Sequence, residues 1–303
     1  MKTKFLLGIF LMALGLWLAA PLPAQDLGPQ FRKIKDGIFL YKGKGTESNS
    51  TIILTQDGVV LIDSGNNPTD SVAVMQAIKR LTDKPIRFLI DTEPHTDHTT
   101  GHFVFSPPAI VIAAAGAGES MRQAYNPERM KKMMDEPGEI GAASKGYRLI
   151  TPHVEYNEKM TLTSGERTFQ LFYLKNVHSE ADTAIWLPNE KVLFVAASVG
   201  VKRFNNLRPF VSIPDTLAAI KMMRALGPEV VIPGHGDPGS VEILDNMERY
   251  YNLLVERVRQ MAQQGKSLDE IKKELKIAGT EDWEGKDRFP NNIEAAYRAV
   301  KGK

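Results

Sequence analysis

Cysteine is absent from the 303 residues of this sequence. Its absence excludes disulfide scaffolds, zinc sites built from thiolates, and cysteine nucleophiles. The hydrophobic share of 43% and the charged share of 24% are ordinary for a globular protein, so the chain can bury a full core. A metal ion bound to this chain must therefore be held by histidine and carboxylate side chains.

The sequence also lacks an excess of charge of either sign. It contains 38 Lys and Arg against 36 Asp and Glu, and removal of Lys2 and Lys4 leaves 36 of each sign. A neutral protein has no general positive field that would attract nucleic acid or an anionic membrane. We therefore expect a small-molecule substrate and no nucleic-acid partner.

The chain begins with two basic residues and a short apolar run. Lys2 and Lys4 precede 16 mostly apolar residues, 5–20, and small and polar residues follow. This order is typical of a secretory signal peptide over residues 1–24, cleaved after Ala24. The alternative is an uncleaved membrane anchor, but the run is shorter than the roughly 20 residues that span a bilayer. We therefore expect a soluble periplasmic or secreted protein with no stable membrane insertion after cleavage.

Residues 25–303 contain no repeat, low-complexity tract or linker, which predicts one domain. Short β-branched and aromatic runs alternate with turn signals and with segments of helical periodicity. Strands are predicted at 31–41 with a turn at 36–37, and at 50–55, 59–62, 86–90, 109–113, 169–174, 184–187, 192–195 and 230–232. Helices are predicted at 68–81, about 214–226 and about 240–264, and after the capping box of Ser267 and Glu270.

The order of these elements is informative in itself. Strands and helices alternate in two successive blocks, and a helical extension from about residue 240 to 303 follows. This order predicts an α+β fold in which two sheets pack face to face with helices outside.

Most of the histidines follow an apolar strand directly. Four of the six share this position: His95, His98, His178 and His235. If the strands belong to facing sheets, their exit loops meet along one edge, where imidazoles and carboxylates can enclose a cation. Glu93, His95 and Asp97 alternate along the first of these loops and His98 follows directly, so the donors point in different directions and can serve two adjacent metal ions.

Four ordered motifs resemble those of the metallo-β-lactamase superfamily. They are Leu61-Ile62-Asp63-Ser64-Gly65, Glu93-Pro94-His95-Thr96-Asp97-His98-Thr99-Thr100-Gly101 in place of H-x-H-x-D-H-x-x-G, His178 with Ala181-Asp182-Thr183, and Pro233-Gly234-His235-Gly236. The resemblance extends from about Phe31 to the C-terminal tail. It implies a four-layer αββα sandwich with two mixed sheets.

The resemblance also implies which residues hold metal. The first ion would be bound by Glu93, His95 and His178, and the second by Asp97, His98 and His235. Asp63 would orient the histidine loop. Asp97 would also be catalytic, because it would orient a metal-bound hydroxide or accept its proton.

Two positions depart from the family pattern. Glu93 replaces the first motif histidine, and the bridging Asp or Cys is missing, since its position is Ala197, or Ser198 if the register slips by one. Carboxylates bind zinc at about 2.0–2.2 Å, so we expect Glu93 to be a ligand. Because Ala197 offers no bridge and Glu93 is expected to add charge without bridging, the sequence predicts one tightly held metal and a second, weaker one.

Other candidates for the site are single residues. Lys202, Arg203 and Arg208 follow a predicted strand where family members often carry a residue that binds an anionic substrate, although a solvated basic loop is an equal alternative. His102 can reach the rim of the site or serve in packing. His153 lies outside every motif and is expected to be idle.

The predicted chemistry is the activation of water. Zinc lowers the pKa of bound water from 15.7 to about 7. We expect an exported hydrolase with one or two zinc ions, iron being compatible, that acts on an ester, thioester, amide or lactam, or on a phosphate or sulfate ester. A non-heme iron oxygenase of the same fold, a catalytically impaired binding protein and a structural module remain alternatives.

Overall fold

The computed structural model describes residues 26–44 and 48–302. The predicted signal peptide, residues 1–24, lies outside these residues. The first seven strands are β1 (Phe31–Lys35), β2 (Ile38–Lys42), β3 (Asn49–Thr55), β4 (Gly58–Ile62), β5 (Ile86–Ile90), β6 (Ile110–Ala114) and β7 (Val154–Tyr156). They form one sheet in chain order, antiparallel from β1 to β4 and parallel from β4 to β7.

The second sheet contains five strands. They are β8 (Lys159–Ser164), β9 (Arg167–Leu174), β10 (Asp182–Leu187), β11 (Val192–Phe194) and β12 (Val230–Ile232). Their order in the sheet is β12-β11-β10-β9-β8, with β11 and β12 parallel and the other pairs antiparallel. Both sheets are therefore mixed.

Helices connect and flank the strands of the two sheets. They are α1 (Pro68–Leu81), α2 (Thr96–Thr99), α3 (His102–Phe105), α4 (Ala117–Ala124), α5 (Pro127–Asp135), α6 (Glu139–Ser144), α7 (Ile213–Ala225), α8 (Glu242–Gln263), α9 (Leu268–Glu274) and α10 (Phe289–Lys301), with a 3-10 turn at Lys286–Arg288. Helix α1 begins after Asn67, whose side chain accepts the backbone N–H of Asp70, and Pro68 occupies its first turn. The capping box predicted at Ser267 and Glu270 is present at the start of α9.

Alternation along the strands separates three apolar layers. On β5, Ile90 packs between the two sheets, where it joins Leu171 of β9. The preceding residue, Leu89, points to the opposite face and packs under Val74 of α1. Since neighbouring side chains of a strand point to opposite faces, one run of apolar residues serves both layers.

The second sheet has the same organisation. Leu193 of β11 faces outward to α7, α8 and α10, which contribute Ile220, Leu244 and Ile293. The order of layers is therefore helix, sheet, sheet, helix, and the predicted four-layer αββα sandwich of the α+β class is confirmed. Among residues 26–44 and 48–302, no helix has the length and apolar character that crossing a bilayer requires.

Two strands, β7 and β8, are absent from the sequence-based prediction. Strand β8 alternates exposed and half-buried residues at the edge of the second sheet. Its sequence, Lys-Met-Thr-Leu-Thr-Ser, is mostly polar, so it lacks the apolar run that marks the other strands. Pairing with β9 over six residues forms it instead.

The topology brings several strand ends to one edge. Strands β4 and β5 of the first sheet are parallel and end at Ile62 and Ile90. In the second sheet, β9, β11 and β12 run in one direction, because β10 is antiparallel to both β9 and β11. The loops that follow β5, β9 and β12 carry the predicted metal ligands, and the loop after β4 carries Asp63.

Candidate metal centre

Six side chains form two groups at this edge. Their members are Glu93, His95 and His178 in the first group, and Asp97, His98 and His235 in the second. Within each group the candidate ligand atoms lie within 4.8 Å of one another. The structure thus brings together all six ligands predicted from the sequence, in the two predicted sets.

The second group is arranged around His235. Its Nε2 atom lies 3.3 Å from Asp97 Oδ2 and 3.3 Å from His98 Nε2. The other two atoms, Asp97 Oδ2 and His98 Nε2, are 3.7 Å apart. Ligands about 2.0–2.2 Å from one tetrahedral ion are separated by roughly 3.3–3.6 Å, so this spacing suits a single transition-metal ion.

The first group is arranged around Glu93. Its Oε2 atom lies 3.2 Å from His178 Nε2 and in short contact with His95 Nδ1. The rings of the two histidines meet edge to face, with centroids 5.1 Å apart. Two imidazoles and one carboxylate are a donor set that zinc and iron(II) accept in proteins, so the residues present fit a metal ion.

The short helix α2 separates the donors of the two groups. His95 precedes it with extended backbone, φ −67° and ψ 152°, whereas Asp97 and His98 lie within its turn. The change from extended to helical backbone directs His95 to the first group and the next two donors to the second. This explains how a loop of six residues, 93–98, serves both groups.

Asp63 fixes the orientation of His98. Its Oδ2 atom lies 2.9 Å from His98 Nδ1, which leaves Nε2 of that ring for the second group. The Asp63 carboxylate also accepts the backbone N–H and the hydroxyl of Thr92, each at 2.7 Å. Asp63 has a φ of +54°, a conformation that is uncommon outside glycine and is held here by these bonds. The structure therefore places Asp63 as the sequence predicts.

Asp182 performs a similar task for His178. Its carboxylate accepts the backbone N–H of His178 at 2.6 Å and that of Ser179 at 2.9 Å. These bonds fold the turn that directs His178 to the first group. The sequence contains Asp182 within a motif but gives no sign of this role, because the bonds depend on the turn geometry.

Opposite charges surround the buried groups. Burial raises the pKa of Glu93, but the charges of His178 and His98 outweigh it and hold that pKa well below its usual value. Burial lowers the pKa of His98, whereas the charges of Glu93 and Asp63 raise it, and the net pKa is about 10. In the absence of metal, the carboxylate is therefore ionised and His98 carries a proton at neutral pH.

Asp97 also stays ionised. Burial raises its pKa, but a hydrogen bond from His235 and the charge of His98 bring the pKa below its ordinary value. Its side chain is 29% exposed, unlike that of Glu93, which is 1% exposed. Asp97 thus offers an anionic oxygen that solvent can reach.

A cavity of about 330 Å³ opens over both groups. Its lining includes Glu93, His95, Asp97, His178, Ala197, Arg203, Asn205, Arg208, His235 and Arg288. Arg208 Nη1 donates to the backbone carbonyl of His178 at 3.0 Å, which fixes this guanidinium beside the first group. A small molecule in the cavity would touch both metal groups and several guanidinium groups.

Two of the four residues predicted to bind substrate, Lys202 and His102, do not line this cavity. Lys202 is exposed and pairs with Asp282 at 2.7 Å. His102 is buried, where its Nε2 lies 2.9 Å from Asp91 and its Nδ1 lies 2.8 Å from the carbonyl oxygen of Ile150. The structure thus places His102 in packing and not at the rim of the site, because Asp91 and Ile150 hold its ring in the interior.

His153, expected from the sequence to be idle, accepts a hydrogen bond from the Val111 backbone N–H at 3.0 Å. Its role is local and structural. The cavity does not reach it.

Two contributions to the site are not predicted from the sequence. Arg288 reaches the cavity from the C-terminal extension, which is held there by a hydrogen bond from Asn292 to the carbonyl oxygen of Asn205. Ala197 lines the cavity, and its backbone N–H donates to Glu93 Oε1 at 2.8 Å. Neither can be predicted from a local sequence pattern, because Arg288 reaches the cavity through tertiary packing and Ala197 acts through its backbone N–H.

Comparison with known proteins agrees with this geometry. The family model of the metallo-beta-lactamase superfamily matches residues 43–235, well over half of the chain. A type 2 metallo-beta-lactamase from Bacteroides fragilis is 25% identical over 120 residues, which are 38% of this chain and 47% of that protein.

Solved structures share the fold. The stereoselective inverting sec-alkylsulfatase Pisa1 from Pseudomonas sp. superposes with a TM-score of 0.70 at 19% identity, over 90% of this chain and 50% of that one. A metallo-beta-lactamase from Pontibacter korlensis gives a TM-score of 0.59 at 21% identity, over 72% of this chain and 96% of that one. The chain therefore spans about half the length of the Bacteroides enzyme and of the sulfatase.

Proposed function

The chain belongs to the metallo-beta-lactamase superfamily, and we propose that it is an exported, zinc-dependent hydrolase of small anionic esters or amides. The observation that carries this proposal is the pair of three-ligand groups on the floor of one cavity. Zinc held by these groups would supply a hydroxide at neutral pH and polarise the oxygen of the bond to be cleaved.

The chain's own residues supply the positioning. Asp97 is ionised and partly exposed in the cavity, so its carboxylate can accept a proton from an attacking water and orient it. Asp63 holds His98 in place during this step, through the bond at its Nδ1. These contacts support a role for Asp97 in orienting the water, beside a metal ligand, His98, whose direction Asp63 fixes.

The arginines of the cavity define the substrate class. Arg203, Arg208 and Arg288 lie around the same space as the two metal groups. Guanidinium groups bind carboxylate, sulfate and phosphate through paired hydrogen bonds. We infer that the substrate carries such an anionic group, next to or as part of the bond that is hydrolysed. The similarity to a protein described as an alkylsulfatase supports sulfate esters as one class to test.

Export rests on the N-terminal sequence. The basic residues Lys2 and Lys4 and the apolar run 5–20 support cleavage after Ala24. N-terminal sequencing of the protein released from the producing cells should begin at Gln25. An intact Met1 in a membrane fraction would contradict this part of the proposal.

The decisive experiment begins with metal analysis of the purified protein. It should contain zinc, and it should hydrolyse at least one anionic member of a panel of lactams, thioesters, lactones, phosphodiesters and sulfate esters, each paired with a neutral analogue. Arg288→Ala should raise KM for the anionic member by about tenfold, the loss of one charged hydrogen bond of roughly 1.5 kcal/mol. Equal rates on the neutral analogues would exclude the anionic substrate class.

An iron oxygenase is the second candidate. Each ligand group contains two histidines and one carboxylate, the donor set of mononuclear iron(II) oxygenases. Protein loaded with iron(II) should then consume dioxygen in the presence of its substrate, whereas the zinc form should be inert. Hydrolysis by the zinc form without oxygen consumption by the iron form would eliminate this candidate.

A further inference from the structure

The two oxygens of Glu93 face different metal groups. Oε2 lies 3.2 Å from His178 Nε2 and contacts His95, both in the first group. Oε1 lies 3.4 Å from Nε2 of His98, a ligand atom of the second group. Two ligands of one tetrahedral ion are expected roughly 3.3–3.6 Å apart; the 3.4 Å separation lies in this range and the 3.2 Å separation is just below it. The carboxylate therefore spans the space between the groups.

The orientation of this carboxylate is fixed. The Glu93 side chain is 1% exposed, and the backbone N–H of Ala197 donates to Oε1 at 2.8 Å. The Ala197 backbone is itself packed against Gly234, where an added Cβ would lie 2.8 Å from the Ala197 nitrogen. Since Gly234 precedes His235, the same contact brings a ligand of the second group close to the residue that holds Oε1.

Position 197 supplies no bridging side chain, but it positions the residue that can bridge. The methyl side chain of Ala197 offers no metal ligand. Its backbone N–H holds Oε1 of Glu93 in the position where this oxygen lies 3.4 Å from His98 Nε2.

We propose that Glu93 bridges the two metal ions, with Oε2 on the first and Oε1 on the second. This inference rests on the proposed function only in requiring that both groups bind metal. It replaces the expectation from the sequence that Glu93 adds charge without bridging. The second ion then has four protein ligands instead of three, and an anionic bridge offsets the repulsion between the two cations.

The first test isolates the second group. In His178→Ala, the first group is reduced to two donors, so that the second group can be studied with a single cobalt(II) ion. Adding Glu93→Ala to this background should weaken cobalt binding at least tenfold, measured by competition with a chelator. It should also shift the visible absorption bands of the cobalt, because these bands report the number and type of ligands.

The absorption spectrum separates ligation from simple attraction. If Glu93 acts on the second ion only through its charge, Glu93→Ala weakens binding but leaves the cobalt spectrum unchanged. An unchanged spectrum in the double variant would overturn the bridge. An exposed carboxylate on the far edge, Glu229, gives the matched control, since Glu229→Ala should alter neither affinity nor spectrum.

A second variant keeps the inference testable if the double variant fails to fold. Glu93→His supplies one nitrogen to the first group and nothing to the second. With otherwise intact ligands, this variant should retain one tightly held cobalt ion and release the other at least tenfold more readily than the parent. Retention of two ions with parental affinities would overturn the proposal. Failure of the parent to hydrolyse any ester would leave these metal titrations unaffected, so the two proposals fail independently.

Discussion

Asp63 and His98 are joined by a fully buried hydrogen bond of 2.9 Å between a carboxylate oxygen and Nδ1. The ring of His98 is thereby held with Nε2 toward His235 and Asp97. Partners of this kind fix the tautomer and the direction of a metal-binding imidazole. The affinity of the second group for metal should therefore depend on a residue that never touches the ion.

Substitution of Asp63 tests this dependence. Asp63→Ala should lower the affinity of the second group for zinc by about 10–100-fold, the usual effect of removing such a partner. Asp63→Asn, which can still accept a hydrogen bond, should lose less. Competition titration with a chromophoric chelator measures both. An Asp63→Ala protein with the parental affinity would show that His98 needs no support.

Metal binding should release protons. Burial lowers the pKa of His98, but Glu93 and Asp63 raise it to about 10, so this ring is protonated in the metal-free protein at pH 7. A metal ligand must be unprotonated, and binding therefore displaces the proton. Affinity should rise with pH up to about 10. Calorimetric titration of zinc at pH 7, in buffers with different heats of ionisation, should give different apparent enthalpies. Identical enthalpies would contradict this assignment.

Gly101 should tolerate no side chain. An added Cβ would lie 2.0 Å from Ser71 Oγ and 2.3 Å from the carbonyl oxygen of Ser64. Gly101→Ala must therefore push α1 away from the loop after β4, at a cost of about 1–3 kcal/mol in the free energy of unfolding. Urea denaturation measures the change. Because Ser64 also bonds to the carbonyl oxygen of His98, metal affinity should fall in parallel.

Substitution of His102 should lower the free energy of unfolding more than it changes metal binding or hydrolysis. It is the hydrogen-bonding partner of buried Asp91, and His102→Ala leaves that carboxylate without one. Breaking a buried pair in this way costs about 3–5 kcal/mol. The double variant with Asp91→Ala should recover part of this loss, since no unpaired charge remains. Thermal denaturation of the three proteins, each with its zinc content measured, distinguishes this role from a role at the site.

The parts of the site that the sequence reveals are those encoded locally. His95 and His98 lie in one loop directly after a strongly apolar strand, so the strand pattern and the spacing of the two histidines both predict a metal site there. Arg288 enters the cavity only because Asn292 bonds to Asn205, a contact between distant segments that no local pattern encodes. The sequence also could not predict that the two oxygens of Glu93 face different metal groups, because this depends on the orientation of the carboxylate in the folded protein.

The ligands of each group come from both sheets. His98 and His235, whose Nε2 atoms lie 3.3 Å apart, are separated by 137 residues along the chain. An ion bound by both histidines would hold together the two ends of a long segment, and these ends must separate when the protein unfolds. Ligands that bind only the folded state stabilise it in proportion to the logarithm of their concentration. Under the proposed export and zinc binding, the supply of zinc outside the cell would set how long the folded protein resists proteases.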